Sequence, residues 1–180
     1  MIGVESSGTG VSPVGYHRRL AGGQRGGTVK RADLKVYRRN LPHWRMPDAT
    51  YFVTWRLRAG IKKLTPIERD EILRTMLFFE GQRYCLLACV VMDDHVHAMV
   101  MPTTHELEEI VHTWKSFSAH RLRKISRRNG GLWDGESFDR IMRDDRELEE
   151  KLNYVPGNPR KRWPNLASYP WLWLAPQFRE

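Results

Sequence analysis

Three segments of the chain carry the β-branched and aromatic residues that are typical of strands. They span residues 50–57, 84–92 and 95–101, and a tight turn at Asp93-Asp94 is predicted to join the last two. Residues 96–101 are apolar on both faces of the predicted strand, which indicates a strand buried inside a sheet. Residues 132–143 show no clear periodicity and are expected to be irregular or extended.

Two long helices are predicted from the spacing of apolar residues and from their capping residues. The first follows the capping box Thr65-Pro66-Ile67-Glu68, which has proline at the first helical position, and runs to about Gln82. The second follows a similar box, Thr103-Thr104-His105-Glu106, and ends at Asn129-Gly130-Gly131.

A third, shorter helix is predicted near the carboxyl end of the chain. Asp144 is expected to cap it, and it runs from Arg146 to about Val155, because Pro156 and Gly157 disfavour a regular helix beyond that point. Two long helices interleaved with short strands predict an α+β fold, a ferredoxin-like sandwich. Its antiparallel sheet would carry residues 95–101 as a central strand, with the helices on one face.

Composition adds a prediction about partners and domains. The chain has 180 residues and a net charge of +9, which favours a polyanionic partner, above all nucleic acid, over the alternative of a merely solvated basic surface. Residues 1–40, rich in glycine and then basic, are predicted to be a disordered tail, and residues 41–180 a single domain.

Cellular location is predicted from features that the sequence does not show. No signal peptide and no apolar run of membrane-spanning length is visible, so we expect a cytoplasmic protein with no membrane partner. Cys85 and Cys89 lie four residues apart in an apolar segment and are expected to be small core residues in a reducing compartment.

The pair His95-Val96-His97 is the strongest chemical signal in the chain. Side chains alternate along a strand, so both imidazoles would point to the same face, about 6.6 Å apart along the strand. That arrangement suits two ligands of one divalent metal ion, Mn²⁺ or, with oxygen ligands to complete its shell, Mg²⁺. The alternative is a pair of ordinary core or surface histidines.

Tyr154 is the candidate that could use such a metal. A tyrosine near a metal centre suggests chemistry on a phosphodiester, although a tyrosine late in a helix is also a common packing residue. Asn158 lies four residues further on and, if the helix continued, would share the face of Tyr154 and offer an oxygen ligand.

Two basic clusters fit a nucleic-acid partner, because cations bind the phosphate backbone and an aromatic ring can stack on a base. A solvated surface is the alternative for each cluster. The candidate DNA-binding residues are Arg121, Arg123, Lys124, Arg127 and Arg128 in the first cluster, and Arg160, Lys161, Arg162 and Trp163 in the second.

Taken together and in order, these motifs resemble the REP-associated tyrosine transposases, bacterial relatives of the single-tyrosine, His-hydrophobic-His (HUH) transposases. The similarity covers roughly residues 37–175. Its motifs are Arg38-Arg39-Asn40-Leu41-Pro42-His43-Trp44, Ala49-Thr50-Tyr51-Phe52-Val53-Thr54-Trp55-Arg56-Leu57, Asp94-His95-Val96-His97, Trp114-Lys115-Ser116-Phe117, the segment 132–140, Tyr154 and Asn158-Pro159. Relatives often carry Pro-Asn where this chain has Asp93-Asp94.

The resemblance implies a function and roles for named residues. His95 and His97 would bind a divalent metal ion, Mg²⁺ or Mn²⁺, assisted by Asn158, and Tyr154 would be the nucleophile. The activity would be cleavage and strand transfer of single-stranded DNA through a 5′-phosphotyrosine, on hairpin DNA from REP-like elements, in transposition. The resemblance also implies a bacterial protein, associated with the nucleoid when bound to DNA.

Two rival functions and the oligomeric state stay open from the sequence. One rival is a catalytically silent protein of the same fold that binds DNA or RNA. The other is a metal-dependent phosphodiesterase that uses water as its nucleophile. We expect a monomer, with a dimer that exchanges the tyrosine helix as the alternative.

Overall fold

The computed structural model describes residues 48–179 and, in their backbone alone, the two strands that precede them. These strands, β1 (Lys35–Arg38) and β2 (Pro42–Arg45), pair antiparallel. Strand β1 lies within the segment predicted to be a disordered tail, and the rest of residues 1–40 lies outside the described residues. The predicted tail therefore stays a prediction.

Residues 48–179 form a five-stranded sheet and three helices. In chain order the elements are β3 (Tyr51–Arg56), α1 (Pro66–Leu77), β4 (Tyr84–Val91), β5 (His95–Pro102), α2 (Leu107–Ser126), β6 (Phe138–Ile141), α3 (Asp145–Arg162) and β7 (Leu172–Leu174). A short 3₁₀ helix, Pro176–Phe178, follows.

The sheet is antiparallel throughout, with strand order β6-β3-β5-β4-β7. Strand β5 is central, and His97 lies opposite Thr54 of β3 and Val90 of β4. The predicted α+β, ferredoxin-like fold with His-x-His on a central strand is confirmed. The predicted turn at Asp93-Asp94 is also present, closed by a hydrogen bond from Met92 N to His95 O of 2.8 Å.

One face of the sheet forms the main hydrophobic core. Val96, Ala98 and Val100 of β5 are fully buried there, and Trp55 of β3 stacks on Trp114 of α2 with ring centroids 5.7 Å apart. Helices α1 and α2 pack on this face, as the sequence predicted for the two long helices.

Helix α3 packs on the opposite face, which differs from the expectation that the helices share one face. Tyr154 contacts His97 and Phe52, whose side chains point away from the main core. Val155 is fully buried on this side. The third helix is needed here because β5 carries apolar residues such as Met99 on this face too, and these require cover.

Helix α3 is also longer than predicted, because it continues through Pro156 and Pro159 to Arg162. The prediction that it ends near Val155 is wrong. An interior proline removes a hydrogen bond and disfavours a helix on local grounds. Val155, Asn158 and Pro159 are nevertheless all buried, so packing against the sheet offsets the local cost.

The ends of α1 and α2 also differ from those predicted. Helix α1 ends at Leu77 rather than near Gln82, and α2 begins after Glu106, which forms a capping box with Glu109. The predicted cap residues Thr103 and Thr104 instead donate hydroxyl hydrogen bonds to the carbonyl of Gln82, at 3.4 and 3.3 Å. These threonines thereby close the loop after β5.

Two remaining features are the state of the cysteines and the length and apolarity of the helices. Cys85 and Cys89 are free and buried, as expected for core residues. Among the described residues, no helix is both long enough and apolar enough to cross a membrane.

Replacing Tyr84 by phenylalanine is expected to destabilise the core. The buried Tyr84 hydroxyl accepts a hydrogen bond from Trp114 Nε1 (2.9 Å) and donates one to the Met76 carbonyl (2.7 Å). Its loss leaves both groups unsatisfied, so Tyr84→Phe should lower the free energy of unfolding by about 1–3 kcal/mol. Urea denaturation measures this change. The half-buried Tyr154 provides a matched control, for which the same substitution should cost less than about 0.5 kcal/mol. Equal losses in the two variants would contradict the prediction.

Candidate functional site

Strand β5 brings the two histidine side chains together on the face covered by α3. Their ring centroids lie 4.7 Å apart. His97 is buried, whereas the side chain of His95 is 25% exposed. The pair therefore lines a site that is closed on one side and open to solvent on the other.

Each histidine uses its Nδ1 atom to contact a neighbouring side chain. His97 Nδ1 lies 2.7 Å from Thr54 Oγ1, and His95 Nδ1 lies 2.5 Å from Asp94 Oδ1. Such contacts fix the orientation of both rings and leave Nε2 of each as the nitrogen available to a ligand. The Asp94 carboxylate accepts, so the proton of His95 lies on Nδ1, whereas the Thr54 hydroxyl group can accept from or donate to His97 Nδ1. The donor chemistry of the pair therefore fits a divalent metal ion.

The protonation state of His97 agrees with that use. Burial, which is the largest cause, and the nearby charges of His95, Lys151, Lys161 and Arg56 together lower the pKa of His97 from 6.5 to about 3. His97 is thus neutral near pH 7, and neutral imidazole is the form that binds metals.

Tyr154 of α3 lies beside the histidines. Its ring centroid is 5.5 Å from that of His97 and 5.9 Å from that of Phe52. Two ammonium groups flank the same ring, since Lys161 Nζ lies 4.4 Å and Lys151 Nζ 5.0 Å from its centroid. The structure thus places a tyrosine hydroxyl group, two imidazoles and two cations on one face of the sheet.

Asn158 is buried on the same helix, one turn after Tyr154. Its side-chain Nδ2 donates to the carbonyl of Tyr154 at 2.8 Å and lies 3.5 Å from the carbonyl of Val155. Pro159 has no N–H to give to the Val155 carbonyl, so the Asn158 amide partly replaces the missing donor. With its nitrogen engaged in this way, any metal ligation by Asn158 falls to Oδ1.

The residues that could hold a metal are few. In the described part of the chain, no group of three or more His, Cys, Asp or Glu side chains is arranged to hold an ion. His95 and His97 therefore form a two-nitrogen site that needs oxygen ligands, such as Asn158 Oδ1, water or a phosphate, to complete it.

A sequence family accounts for this set of residues. A family model described as an IS200-like transposase matches residues 61–155, just over half of the chain, and the match includes His95, His97 and Tyr154. The chain belongs to the IS200-like transposase family. Membership indicates a DNA-cleaving and DNA-transferring enzyme with a role in DNA transposition.

One solved structure has a similar fold. A REP-associated tyrosine transposase bound to a REP hairpin has a TM-score of 0.61 and 17% sequence identity, and the match covers 76% of this chain and 80% of that chain. The resemblance to tyrosine transposases predicted from sequence is confirmed by the family model and by this likeness in fold.

A candidate transposase from Deinococcus radiodurans R1 has a TM-score of 0.42 and 22% identity, with 59% of this chain and 87% of that chain covered. No match was found among curated proteins.

The first predicted DNA-binding cluster lies at the end of α2 and in the two residues that follow it, on the sheet face opposite the histidines. Arg121 Nε donates to Glu71 at 2.7 Å. Arg128 binds the buried Glu68 and donates to the carbonyls of Lys62 and Lys63. Burial alone would raise the pKa of Glu68, but the Arg128 hydrogen bond helps to lower it to about 2. Both arginines therefore hold neighbouring parts of the protein together. Arg123, Lys124 and Arg127 are exposed.

The second predicted cluster lies at the end of α3 and close to the transposase site. Lys161 flanks Tyr154, and Arg160 is exposed. Arg162 binds Asp93 and Asp94 instead of facing solvent freely. Trp163 is stacked on Tyr169, with ring centroids 5.5 Å apart. DNA binding by both clusters stays a prediction.

The structure adds site residues that the sequence analysis missed. Thr54 and Arg56 of β3 lie opposite His97 and His95 across the antiparallel pair, and Phe52 stacks on His97 with centroids 5.3 Å apart. The motif around Thr54 was recognised, but strand register was needed to pair its residues with the histidines.

Lys151 is a further residue of the site. It lies three residues before Tyr154 on the same helix, so helical spacing alone was sufficient to predict that it lies near Tyr154.

Replacing Asn158 by aspartate is expected to destabilise α3. The carboxylate cannot donate to the carbonyls of Tyr154 and Val155 and repels them, so the free energy of unfolding should fall by about 1–3 kcal/mol. Asn153→Asp, an exposed position on the same helix, should cost less than about 0.5 kcal/mol. Urea denaturation at neutral pH compares the two variants. Equal effects would show that the Asn158 amide contributes nothing to the helix.

Proposed function

We propose that this transposase cleaves and rejoins single-stranded DNA through a covalent bond to Tyr154. The observation that carries the proposal is the contact between the Tyr154 ring and the His97 ring, 5.5 Å between centroids, in a pair of imidazoles whose Nδ1 atoms are already engaged. A nucleophile beside a metal-binding pair is the arrangement that phosphodiester transfer needs.

His95 and His97 would hold a divalent ion, Mg²⁺ or Mn²⁺, with Asn158 as a further ligand. When bound, such an ion supplies Lewis-acid stabilisation of negative charge on a phosphate. The part played by the protein is to keep the His97 imidazole neutral through burial and to orient both imidazoles through the contacts of Thr54 and Asp94.

The chemistry of Tyr154 follows from its hydroxyl group. Its oxygen would attack the phosphorus of a DNA phosphodiester, forming a bond to the 5′-phosphate while the bond to the 3′ oxygen breaks. The phenol loses its proton and the leaving strand ends in a 3′-OH. A 3′-OH attacking the phosphotyrosine reverses these bond changes, so strands can be joined without another energy source.

The cations around Tyr154 fit the charge of this substrate. Lys151 and Lys161 lie within 5.0 Å of the ring centroid, and the charges of both lysines and of Arg56 reach His97. Positioned cations of this kind bind phosphate oxygens and offset the charge that develops during the reaction. We assign these three residues to binding of the reacting phosphate.

The DNA partner and its form are part of the same proposal. The similar solved structure contains a REP hairpin, and we infer that this chain also acts on single-stranded or hairpin DNA. We further propose that the protein works as a monomer and in the cytoplasm.

Replacing Tyr154 by phenylalanine tests the proposal directly. Wild-type protein, labelled hairpin DNA and Mn²⁺ should give a metal-dependent band of protein joined to DNA on a denaturing gel. Tyr154→Phe should abolish that band, because the attacking oxygen is gone, and should keep DNA binding on a native gel. Tyr169→Phe removes the same atom from a tyrosine that hydrogen-bonds to the Val91 carbonyl, and it should keep the adduct.

The rival functions give different results in the same experiment. Cleavage without an adduct in wild type, unchanged in Tyr154→Phe, would indicate a phosphodiesterase that uses water. Binding with neither cleavage nor adduct, across hairpins of varied sequence and both metals, would indicate a DNA-binding protein. Either result would overturn the covalent mechanism.

Replacing Thr54 by valine is expected to weaken metal binding. The substitution keeps the shape of the side chain but removes the hydroxyl group that contacts His97 Nδ1. Loss of such a contact typically lowers metal affinity about 10–100-fold. Calorimetric titration with Mn²⁺ measures the affinity without any need for activity. Thr75→Val, a buried threonine on α1 that bonds to the Glu71 carbonyl, is the matched control and should leave the affinity unchanged. Unchanged affinity in Thr54→Val would remove Thr54 from the site.

A further inference from the structure

The second half of α3 is weak as a helix. Pro156 and Pro159 each lack an N–H, and Gly157 between them has low helix propensity. Contacts with the rest of the protein must therefore hold this half of the helix in place. Any such contact also affects Tyr154, which lies immediately before the weak segment.

Helix α3 has an ionic anchor on each side of Tyr154. Seven residues before it, Glu147 pairs with Arg140 of the edge strand β6. Eight residues after it, Arg162 pairs with Asp93 (3.0 Å) and with Asp94 (3.4 Å). At 1.5 Å per residue, each anchor lies about 10–12 Å from Tyr154 along the helix axis. The tyrosine is thus held between two fixed points.

The turn that receives Arg162 is itself firmly held. The carbonyl of Asp94 accepts from Leu57 N at 2.8 Å, and the carbonyl of Asp93 accepts from Leu64 N at 2.7 Å. The Asp93 carboxylate also binds Lys63 at 2.9 Å. Because three separate contacts fix this turn, it can serve as a reference point for the end of α3.

Asp94 connects this anchor to the metal-binding pair. One carboxylate oxygen contacts His95 Nδ1 and the other contacts the guanidinium of Arg162. The same side chain therefore orients the first histidine and receives the end of the tyrosine helix. The side chain of Arg162 is 31% exposed and that of Asp93 only 12%, so solvent screens this pair less than a surface ion pair, whereas Asp94 is 39% exposed.

We propose that Arg162 is a positioning residue, whose ion pairs with Asp93 and Asp94 align the tyrosine helix with the two histidines. We call Arg162, Asp93 and Asp94 the Arg162 clasp. The effect of Arg162 on catalysis rests on the proposed function, whereas its anchoring of α3 does not. This role is an alternative to the sequence-based expectation that Arg162 binds DNA, because its guanidinium is already held by two carboxylates.

Two measurements on Arg162→Met, Arg162→Lys and Arg160→Met test the Arg162 clasp. Amide hydrogen exchange, followed by mass spectrometry, reports how firmly α3 is docked, with or without activity. The rate of adduct formation at saturating hairpin DNA reports the alignment of Tyr154. Arg160→Met removes the same charge from an exposed neighbour and should leave α3 exchange unchanged while weakening DNA binding.

Arg162→Met should raise exchange in peptides spanning residues 152–163 and slow adduct formation about 10–100-fold, with DNA affinity changed less than in Arg160→Met. Arg162→Lys should recover part of the rate, because one ammonium group can satisfy part of the pairing. Faster exchange in a system where even wild type forms no adduct would support the anchoring and refute the proposed chemistry.

Two outcomes would overturn the proposal. If Arg162→Met weakens DNA binding as Arg160→Met does and keeps the full rate at saturating DNA, Arg162 is a DNA contact. If α3 exchange is unchanged in Arg162→Met, the ion pairs do not hold the helix.

Discussion

The alternation of side chains along β5 is the constraint on which the site depends. Val96, Ala98 and Val100 are fully buried against the layer formed by α1 and α2, and β5 is hydrogen-bonded to a neighbour on each side. A shift of one residue would place the histidines in the main core and turn Val96, Ala98 and Val100 to the face that α3 covers. The burial of the core therefore fixes the direction in which His95 and His97 point, independently of any requirement of the chemistry.

The opposite face imposes a second requirement, because a central strand that is apolar on both faces needs cover on both. Helix α3 supplies it, with Val155, Asn158 and Pro159 buried. The same helix carries Tyr154, so the element that shields His97 from water also places the tyrosine ring beside it. One helix thus both covers the sheet and carries Tyr154. Its two interior prolines are tolerated because tertiary packing contributes more to its stability than its intrinsic helix propensity does.

The strands, the turn at Asp93-Asp94 and the shared face of His95 and His97 were predictable because they follow from a local period of two. The extension of α3 beyond Val155 was not, since the local signal of Pro156 and Gly157 opposes it and only burial against the sheet overrides that signal. The strand register could not be predicted either, because Thr54 and Arg56 lie more than 35 positions away in the chain from the histidines with which they pair. Arg128 and Arg162 looked like solvent-facing cations because their acidic partners, Glu68 and Asp93, are also distant in sequence.

These pairings change how the net charge of +9 is distributed for a polyanionic partner. Arg121 and Arg128 are matched by Glu71 and Glu68 on the face that carries α1 and α2, so part of the first basic cluster is neutralised within the protein. On the other face, Lys151 and Lys161 are directed toward the Tyr154 ring. A cation held beside a partly buried site attracts a phosphate more strongly than one on an open surface, because solvent screens it less. The charge that matters most for DNA is therefore expected around Tyr154, and the density of Lys and Arg along the chain is a poor guide to it.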